Sequence, residues 1–494
     1  MMFIGIDLGT SGLKAILVDE RQHVVGSASV PLSLSRPRPG WSEQDSADWW
    51  AALLAAIDGL RERHPRELAA VAGIGLSGQM HGAVLLDAAD TVLRPCILWN
   101  DTRASVECRT LEEQIPDLAR IAGNRAMPGF PAPKLLWVRK HEPEIFARVA
   151  RVLLPKAWLR LAMTGEAIED MSDASGTLWL DVGGRVWSDT LLAATGLTSA
   201  AMPRLVEGNA QAGRLRADLC QRWGMTNAPV FAGGAGDNAA GAIGLGAIRA
   251  GDAFVSLGTS GVLFAATDRF RPYPDATVHA FCHALPGLWH QMGVTLSAAA
   301  SLAWWAAIAG RHEADLLAEI GTVRAPSEVL FLPYLAGERT PHNDGSVRGG
   351  FAGLAAGTDR AAMTQAVLEG VAFSLRDCLD ALAASGTRIE AADVIGGGSR
   401  SNAWVRILAS VLGVPLHPLV EGEHGGAFGA ARLGRLSVTG EDPAEICVPP
   451  VRRDAIEPER DLAEAYAARL AAYRRLYPAM RDAVVADQTT ATSA

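Results

Sequence analysis

Leu8-Gly9-Thr10-Ser11-Gly12 recurs unchanged as Leu257-Gly258-Thr259-Ser260-Gly261, each time between two apolar runs. The first copy follows Phe3-Ile4-Gly5-Ile6-Asp7 and precedes Ala15-Ile16-Leu17-Val18; the second follows Ala253-Phe254-Val255-Ser256 and precedes Val262-Leu263-Phe264-Ala265. Both read as strand, glycine-rich turn, strand. A turn of Gly, Thr and Ser exposes backbone N–H groups and hydroxyls, so it can hold phosphate oxygens without a helix N-terminus or a P-loop. Either copy alone reads as an ordinary hairpin turn, where Gly and Ser are the usual residues. Repetition at domain-scale separation points instead to two related lobes facing one phosphate-bearing ligand.

Elements outside the turns repeat as well. After the first hairpin a third strand is expected over 24–32, then a helix over 47–63 capped by Asp45 or Ser46, then a strand over 71–76. After the second, a strand is expected near 289–294, a helix bearing Trp304 and Trp305, and a long helix over 359–384 that stops at Gly386. The densest Gly and Ala stretch, 233–251, is the expected boundary. It divides the chain into lobes at 1–243 and 244–485, with a frayed, flexible tail at 486–494.

With 494 residues there is room for two lobes with full cores. The apolar share is 49% and the charged share 20%, a composition that reads as globular. No apolar run approaches the roughly 18 residues that cross a bilayer, and the longest candidate, 298–309, reads as a buried helix. The opening Met1-Met2-Phe3 runs straight into a strand, so export is not expected. Six scattered cysteines without CxxC or zinc-site spacing fit buried thiols in a reducing cytoplasm. A net charge of −9 with no basic block argues against a nucleic-acid surface, and Arg469, Arg474 and Arg475 read as the solvated face of a helix.

Several residues offer chemistry. Asp7 ends an apolar strand, where an unpaired carboxylate is costly, so it is expected to hold Mg²⁺ or to cap its own turn. Lys14, just past the turn, can point toward phosphates or into solvent. Asp237 lies in Gly234-Ala235-Gly236-Asp237-Asn238-Ala239-Ala240-Gly241, where no bulky neighbour shields it; it reads equally as a base for an alcohol nucleophile and as a helix N-cap. Gln79, Met80 and His81 follow a strand and suit a polyol, with Met80 against its carbon face. Trp99, Asn100 and Asp101 supply an aromatic wall, an amide and a carboxylate for a sugar. Gly396-Gly397-Gly398-Ser399-Arg400-Ser401-Asn402 joins a strand to a helix, where a nucleoside can approach the backbone. Tight helix packing is the expected role of the run from Gly425 to Ala431.

Together these segments resemble the FGGY carbohydrate kinases over nearly the whole chain. The resemblance is carried by Ile4-Gly5-Ile6-Asp7-Leu8-Gly9-Thr10-Ser11, Gly40-Trp41-Ser42-Glu43-Gln44-Asp45, Gln79-Met80-His81-Gly82, Trp99-Asn100-Asp101, Gly236-Asp237-Asn238, Gly337-Glu338-Arg339-Thr340-Pro341-His342 and Gly396-Gly397-Gly398-Ser399-Arg400. It implies an α/β fold of two ribonuclease-H-like (actin-like ATPase) lobes around a central cleft, each a mixed sheet flanked by helices. The Gln79-Met80-His81-Gly82 segment resembles the branch acting on xylulose. The resemblance thus implies transfer of the γ-phosphoryl group of ATP to the 5-hydroxyl of D-xylulose, with Mg²⁺ as cofactor. Asp237 would then be the general base, and Met80 and His81 would contact the sugar. Asp7 would lie near the metal, and Thr10, Ser11, Lys14, Gly258 and Thr259 around the phosphates. Gly397, Gly398 and Asn402 would border the adenosine, and a homodimer is implied. Glu421 to Gly426 departs from the family's usual pattern. The alternatives are a kinase for ribulose, glycerol or another polyol, and an ATP-driven switch of the actin or Hsp70 kind.

Overall fold

Each repeated turn joins two antiparallel strands, and each hairpin is the middle of a sheet. The computed structural model describes residues 1–420 and 425–491, with side chains as far as 483. In the first lobe Met2–Leu8 pairs antiparallel with Gly12–Asp19, which pairs antiparallel with Val24–Pro31. On its other edge Met2–Leu8 runs parallel to Val71–Gly78, followed by Val230–Ala232 and the antiparallel Gln211–Arg214. The second lobe repeats the order: Ala253–Leu257 and Gly261–Thr267 form the hairpin, Trp289–Thr295 and His279–Cys282 extend it antiparallel, and Ala392–Ile395 and Leu416–Pro418 extend it parallel. This is the ribonuclease-H-like order twice over, as expected.

The helices follow their capping signals. The Asp45 carboxylate accepts from the Ala47 N–H and starts Ser46–Arg63; Asp359 accepts from Ala362 and starts Arg360–Ala384. Between the first-lobe strands lies a long insertion with helices Ser105–Gln114, Pro131–His141 and Pro155–Thr164. Its apolar side chains, Leu111, Phe130 and Trp179 among them, share one core with Phe254, Phe264 and Phe281 of the second lobe. The lobes are thereby packed together on one side of the cleft.

Gly425–Thr439 comes late in the chain yet lies on the first-lobe sheet. A Cβ on Gly5 would sit 1.8 Å from the Ala427 carbonyl oxygen, and one on Gly75 would sit 1.8 Å from that of Ala430. Only bare glycine lets backbone approach backbone so closely. The expected tight helix packing is what the structure has.

Three local expectations change. Ala299–Ala309 is half-buried, with Ile308 59% exposed, because only one face meets the core. Arg474 is not merely solvated: it pairs with Asp377 at 2.7 Å and Asp380 at 2.5 Å. Leu476–Ala491 carries helical backbone into the expected tail at 486–494, and its last residues, 492–494, lie outside the described residues. Of the segment that departs from the family pattern, 421–424 lie outside them too. All six thiols are free, and no described helix is long and apolar enough to cross a membrane.

Candidate active site

Strand register brings the two candidate carboxylates together. Asp7 lies opposite Lys14 in the hairpin and opposite Ser77 in the parallel pair, and Ser77 in turn lies opposite Ala235. Two residues further along, Asp237 opens the helix Asp237–Leu245. Gly236 is the N-cap, so the reading of Asp237 as the cap is corrected: it is the first helical residue. Its Oδ1 accepts from the Asn238 backbone N–H at 2.7 Å and from Asn238 Nδ2 at 2.9 Å. Oδ2 has no hydrogen-bond partner among the described residues, and Asp237 is exposed, so the carboxylate is open to a hydroxyl. Surrounding protein raises the carboxyl to about 6; the Asn238 N–H opposes that rise and the nearby Asp7 charge adds to it. Such a value suits a base working near neutrality.

Asp7 is half-buried, and its pKa is raised by burial while Ser77 and Lys14 pull it down. The Ser77 hydroxyl beside it is buried without a partner of good hydrogen-bond geometry. A Cβ on Gly426 would stand 3.1 Å from Asp7 Oδ1, so the carboxylate is closely walled on that side. Asp7 and Asp237 lie close enough for the charge of one to raise the other, and Lys14 acts on Asp7; negative charge is left in excess, a donor set that fits a hard divalent cation.

His81 stands at φ +69°, a left-handed conformation uncommon for a non-glycine residue. The Lys134 ammonium holds its carbonyl at 2.7 Å and that of Ile97 at 3.0 Å. Lys134 is buried without a carboxylate partner, and burial lowers its pKa to about 7. His81 Nδ1 lies 2.7 Å from the Gly176 carbonyl oxygen. Since a carbonyl only accepts, Nδ1 carries the proton; burial lowers the ring's pKa to about 3, and Nε2 is left as an acceptor. Met80 is buried, 5% exposed, against Gly236, where a Cβ would meet its Sδ at 2.8 Å, which places it beside the start of the Asp237 helix.

Other expected residues are placed differently. Asp101 is corrected from sugar contact to structural anchor: 1% exposed, it accepts from Ser42 N at 2.6 Å and pairs with Arg103 Nη2 at 2.6 Å. Gln79 is taken up too, accepting from Thr10 Oγ1 at 2.8 Å and donating to Gln44 Oε1 at 2.9 Å. Trp99 is 43% exposed and gives its indole N–H to Thr10 at 3.0 Å, so its face stays open to the cleft. Ser11 is exposed on the first turn, Lys14 half-buried. On the second turn Thr259 and Ser260 are exposed, and Gly258 stands directly behind the Gly396 loop. Gly397 borders open space and Asn402 is exposed, whereas Gly398 is buried against Leu257 and Trp404. Of these three residues, Gly397 and Asn402 are the ones left accessible.

Residues 2–244 match the FGGY family of carbohydrate kinases, N-terminal domain, and residues 253–438 match its C-terminal domain. The chain belongs to the FGGY family of carbohydrate kinases. It is 47% identical over 482 residues to the xylulose kinase of Escherichia coli (strain K12), which covers 96% of this chain and 98% of that one. It is 50% identical over 444 residues to the xylulose kinase of Klebsiella pneumoniae, covering 89% and 91%. The crystal structure of a "xyloylose kinase" from Brucella ovis superposes with a TM-score of 0.95 at 56% identity, covering 98% of this chain and 100% of that one.

One part of this FGGY kinase escaped the sequence reading. Under Gly236 lie Glu169, Asp170 and Asp173, all buried around Lys156 Nζ at 2.6, 2.7 and 3.4 Å. Burial raises Glu169, and raises Asp173 well above the usual carboxylate range. The ammonium already occupies the centre that a metal ion would need. Asp170 accepts from Ser172 Oγ at 2.5 Å, and Ser172 Oγ accepts from Gly236 N at 3.1 Å, which fixes the backbone leading into Asp237. The acids are adjacent in sequence, but Lys156 reaches them only through the fold.

Proposed function

We propose that this chain transfers the γ-phosphoryl group of ATP to the 5-hydroxyl of D-xylulose, giving D-xylulose 5-phosphate and ADP. The observation that carries the reading is the exposed Asp237, its Oδ2 unpartnered among the described residues, at the start of a helix whose N-cap Gly236 meets Met80, and close enough to Asp7 to feel its charge. High identity to xylulose kinases over nearly the full chain supports the choice of sugar.

His81 Nε2 accepts a sugar hydroxyl, Met80 packs on the carbon face and Trp99 forms a wall. Asp237 Oδ2 accepts the proton of the attacking hydroxyl as its oxygen bonds to the γ-phosphorus. Ser11, Lys14, Gly258 and Thr259 surround the phosphates, while Gly397 and Asn402 border the adenosine. Asp7 is the residue we assign to Mg²⁺, which when bound neutralises charge on the phosphate oxygens. The sugar thus belongs to the lobe at 1–243 and the nucleotide's second half to the lobe at 244–485, less the Gly425–Thr439 helix that returns to the first-lobe sheet. Closing the lobes would exclude water, which otherwise competes for the phosphoryl group. Six free thiols fit a cytoplasmic location.

The test is ADP release with MgATP across pentuloses, hexuloses and glycerol, with a control lacking sugar. Turnover strongest with D-xylulose is expected. Preference for another polyol would change the substrate, and sugar-independent hydrolysis without a phosphorylated product would mean an ATP-driven switch.

A further inference from the structure

Gly337-Glu338-Arg339-Thr340-Pro341-His342 has no role in the reading above. The buried Glu338 carboxylate accepts from Thr295 Oγ1 at 2.6 Å, Arg339 N at 2.7 Å and Leu296 N at 2.9 Å. Thr340 N donates to the Val294 carbonyl at 3.0 Å, and Thr340 Oγ1 accepts from Val294 N at 3.0 Å. Val294 and Thr295 are the strand partners of Val262 and Gly261, at the foot of the second phosphate turn. The loop is therefore fastened on both sides of Arg339 and held against that turn.

Arg339 itself is half-buried, and its guanidinium has no hydrogen bond, ion pair or ring partner among the described residues. Protein crowds it, since burial is what lowers its pKa, and its charge acts on the rings of His81 and His279. Those rings are linked through Phe130, 4.4 Å from His81 and 6.2 Å from His279. Arg339 thus stands between the second phosphate turn and the proposed sugar wall of the opposite lobe. Five donors held in such a place without an acceptor are unfavourable until a ligand supplies one. A neutral sugar can supply acceptors but no compensating charge; a phosphoryl group supplies both.

We infer that Arg339 is a further catalytic residue, a second-lobe cation that grips the γ-phosphoryl oxygens as the group passes from ATP to the sugar. The inference rests on the kinase reading above. The sugar oxygen forms the new bond to phosphorus, the bond from phosphorus to the bridging β–γ oxygen breaks with its electron pair leaving on ADP, and the hydroxyl proton goes to Asp237. The guanidinium exchanges no atoms; its fork compensates charge on the equatorial oxygens during transfer.

The test compares wild type with Arg339→Ala and Arg339→Lys by steady-state kinetics with MgATP and D-xylulose, by thermal unfolding, and with added low-millimolar guanidinium chloride. Wild type is assayed first across the polyol panel: failure with D-xylulose but turnover of another polyol would change the substrate on which the variants are compared, and no phosphorylated product with any of them would undo the kinase reading before any variant is considered. For Arg339→Ala we expect kcat to fall by roughly 10²-fold or more with an unchanged unfolding temperature. KM for the sugar should stay within roughly threefold, as for an interaction made only in the transition state. Guanidinium, but not sodium chloride, should restore part of the rate. Should the alanine variant not fold, Arg339→Lys carries the test, because a point charge cannot replace the planar fork and kcat should still fall. Unchanged kcat in either folded variant would overturn the assignment. So would a raised KM for the sugar at constant kcat, which would make Arg339 a sugar contact.

Discussion

Two copies of one pentapeptide end up in different hydrogen-bond surroundings. In the first turn the Thr10 hydroxyl donates to Gln79 and accepts from Trp99, and Gln44 Nε2 donates to the Thr10 carbonyl at 2.7 Å. In the second turn the carbonyls face inward, Gly258 accepting from Ala299 N at 2.8 Å and Thr259 from Ala298 N at 2.9 Å. Thr259 and Ser260 stay exposed, and their hydroxyls have no hydrogen-bond partner among the described residues. The first turn therefore spends its Thr10 hydroxyl on tying the hairpin to Gln79 and Trp99 and leaves only Ser11 exposed, whereas the second leaves both Thr259 and Ser260 exposed. A local sequence sets the shape of a turn, and its surroundings decide what the turn does.

The contrast can be broken most severely through the first lobe's bare packing surface. Gly75→Ala pushes a Cβ into the Ala430 carbonyl, and we expect a loss of about 3 kcal/mol, seen as a lower denaturant midpoint. Gly397→Ala, which meets nothing within 4 Å in the second lobe, should leave that midpoint unchanged. Next comes Thr10→Val, which strands Gln79 Oε1 and the Trp99 indole; about 1–2 kcal/mol should be lost in thermal unfolding, with KM for ATP little altered. Thr259→Val should do the reverse, raising KM for ATP roughly fivefold at constant unfolding temperature, as for one neutral hydrogen bond. Equal effects of the two valine substitutions on both readouts would erase the distinction. The smallest effect is that of pH near neutrality. Asp237 must be deprotonated to act, so kcat/KM should be flat above about pH 7 and fall tenfold per unit below about 6. An acid limb near 4 would mean that the crowded cleft does not raise this carboxyl.

Much of this was legible in the sequence, for identifiable reasons. Hairpins and capped helices are written in local patterns: apolar runs around turn residues, and Asp45 and Asp359 as caps. Where Gly425–Thr439 docks was not read from the sequence, although Gly5, Gly73 and Gly75, every one of them at a contact with that helix, mark the place. What stayed hidden was partnership at a distance. Asp101 looked free for a sugar because its bond to Ser42 spans 59 residues, and Gln79 looked free because Gln44 and Thr10 lie 35 and 69 residues away. A buried polar side chain declares its partner only after the fold has brought that partner in.

The most direct measurement is single-turnover phosphoryl transfer from ATP to D-xylulose by Asp237→Asn, alongside calorimetric binding of ADP to the same protein. The account predicts nucleotide binding within about twofold of wild type and transfer slower by roughly 10³-fold, as expected when a general base is removed. Transfer at the wild-type rate would contradict it.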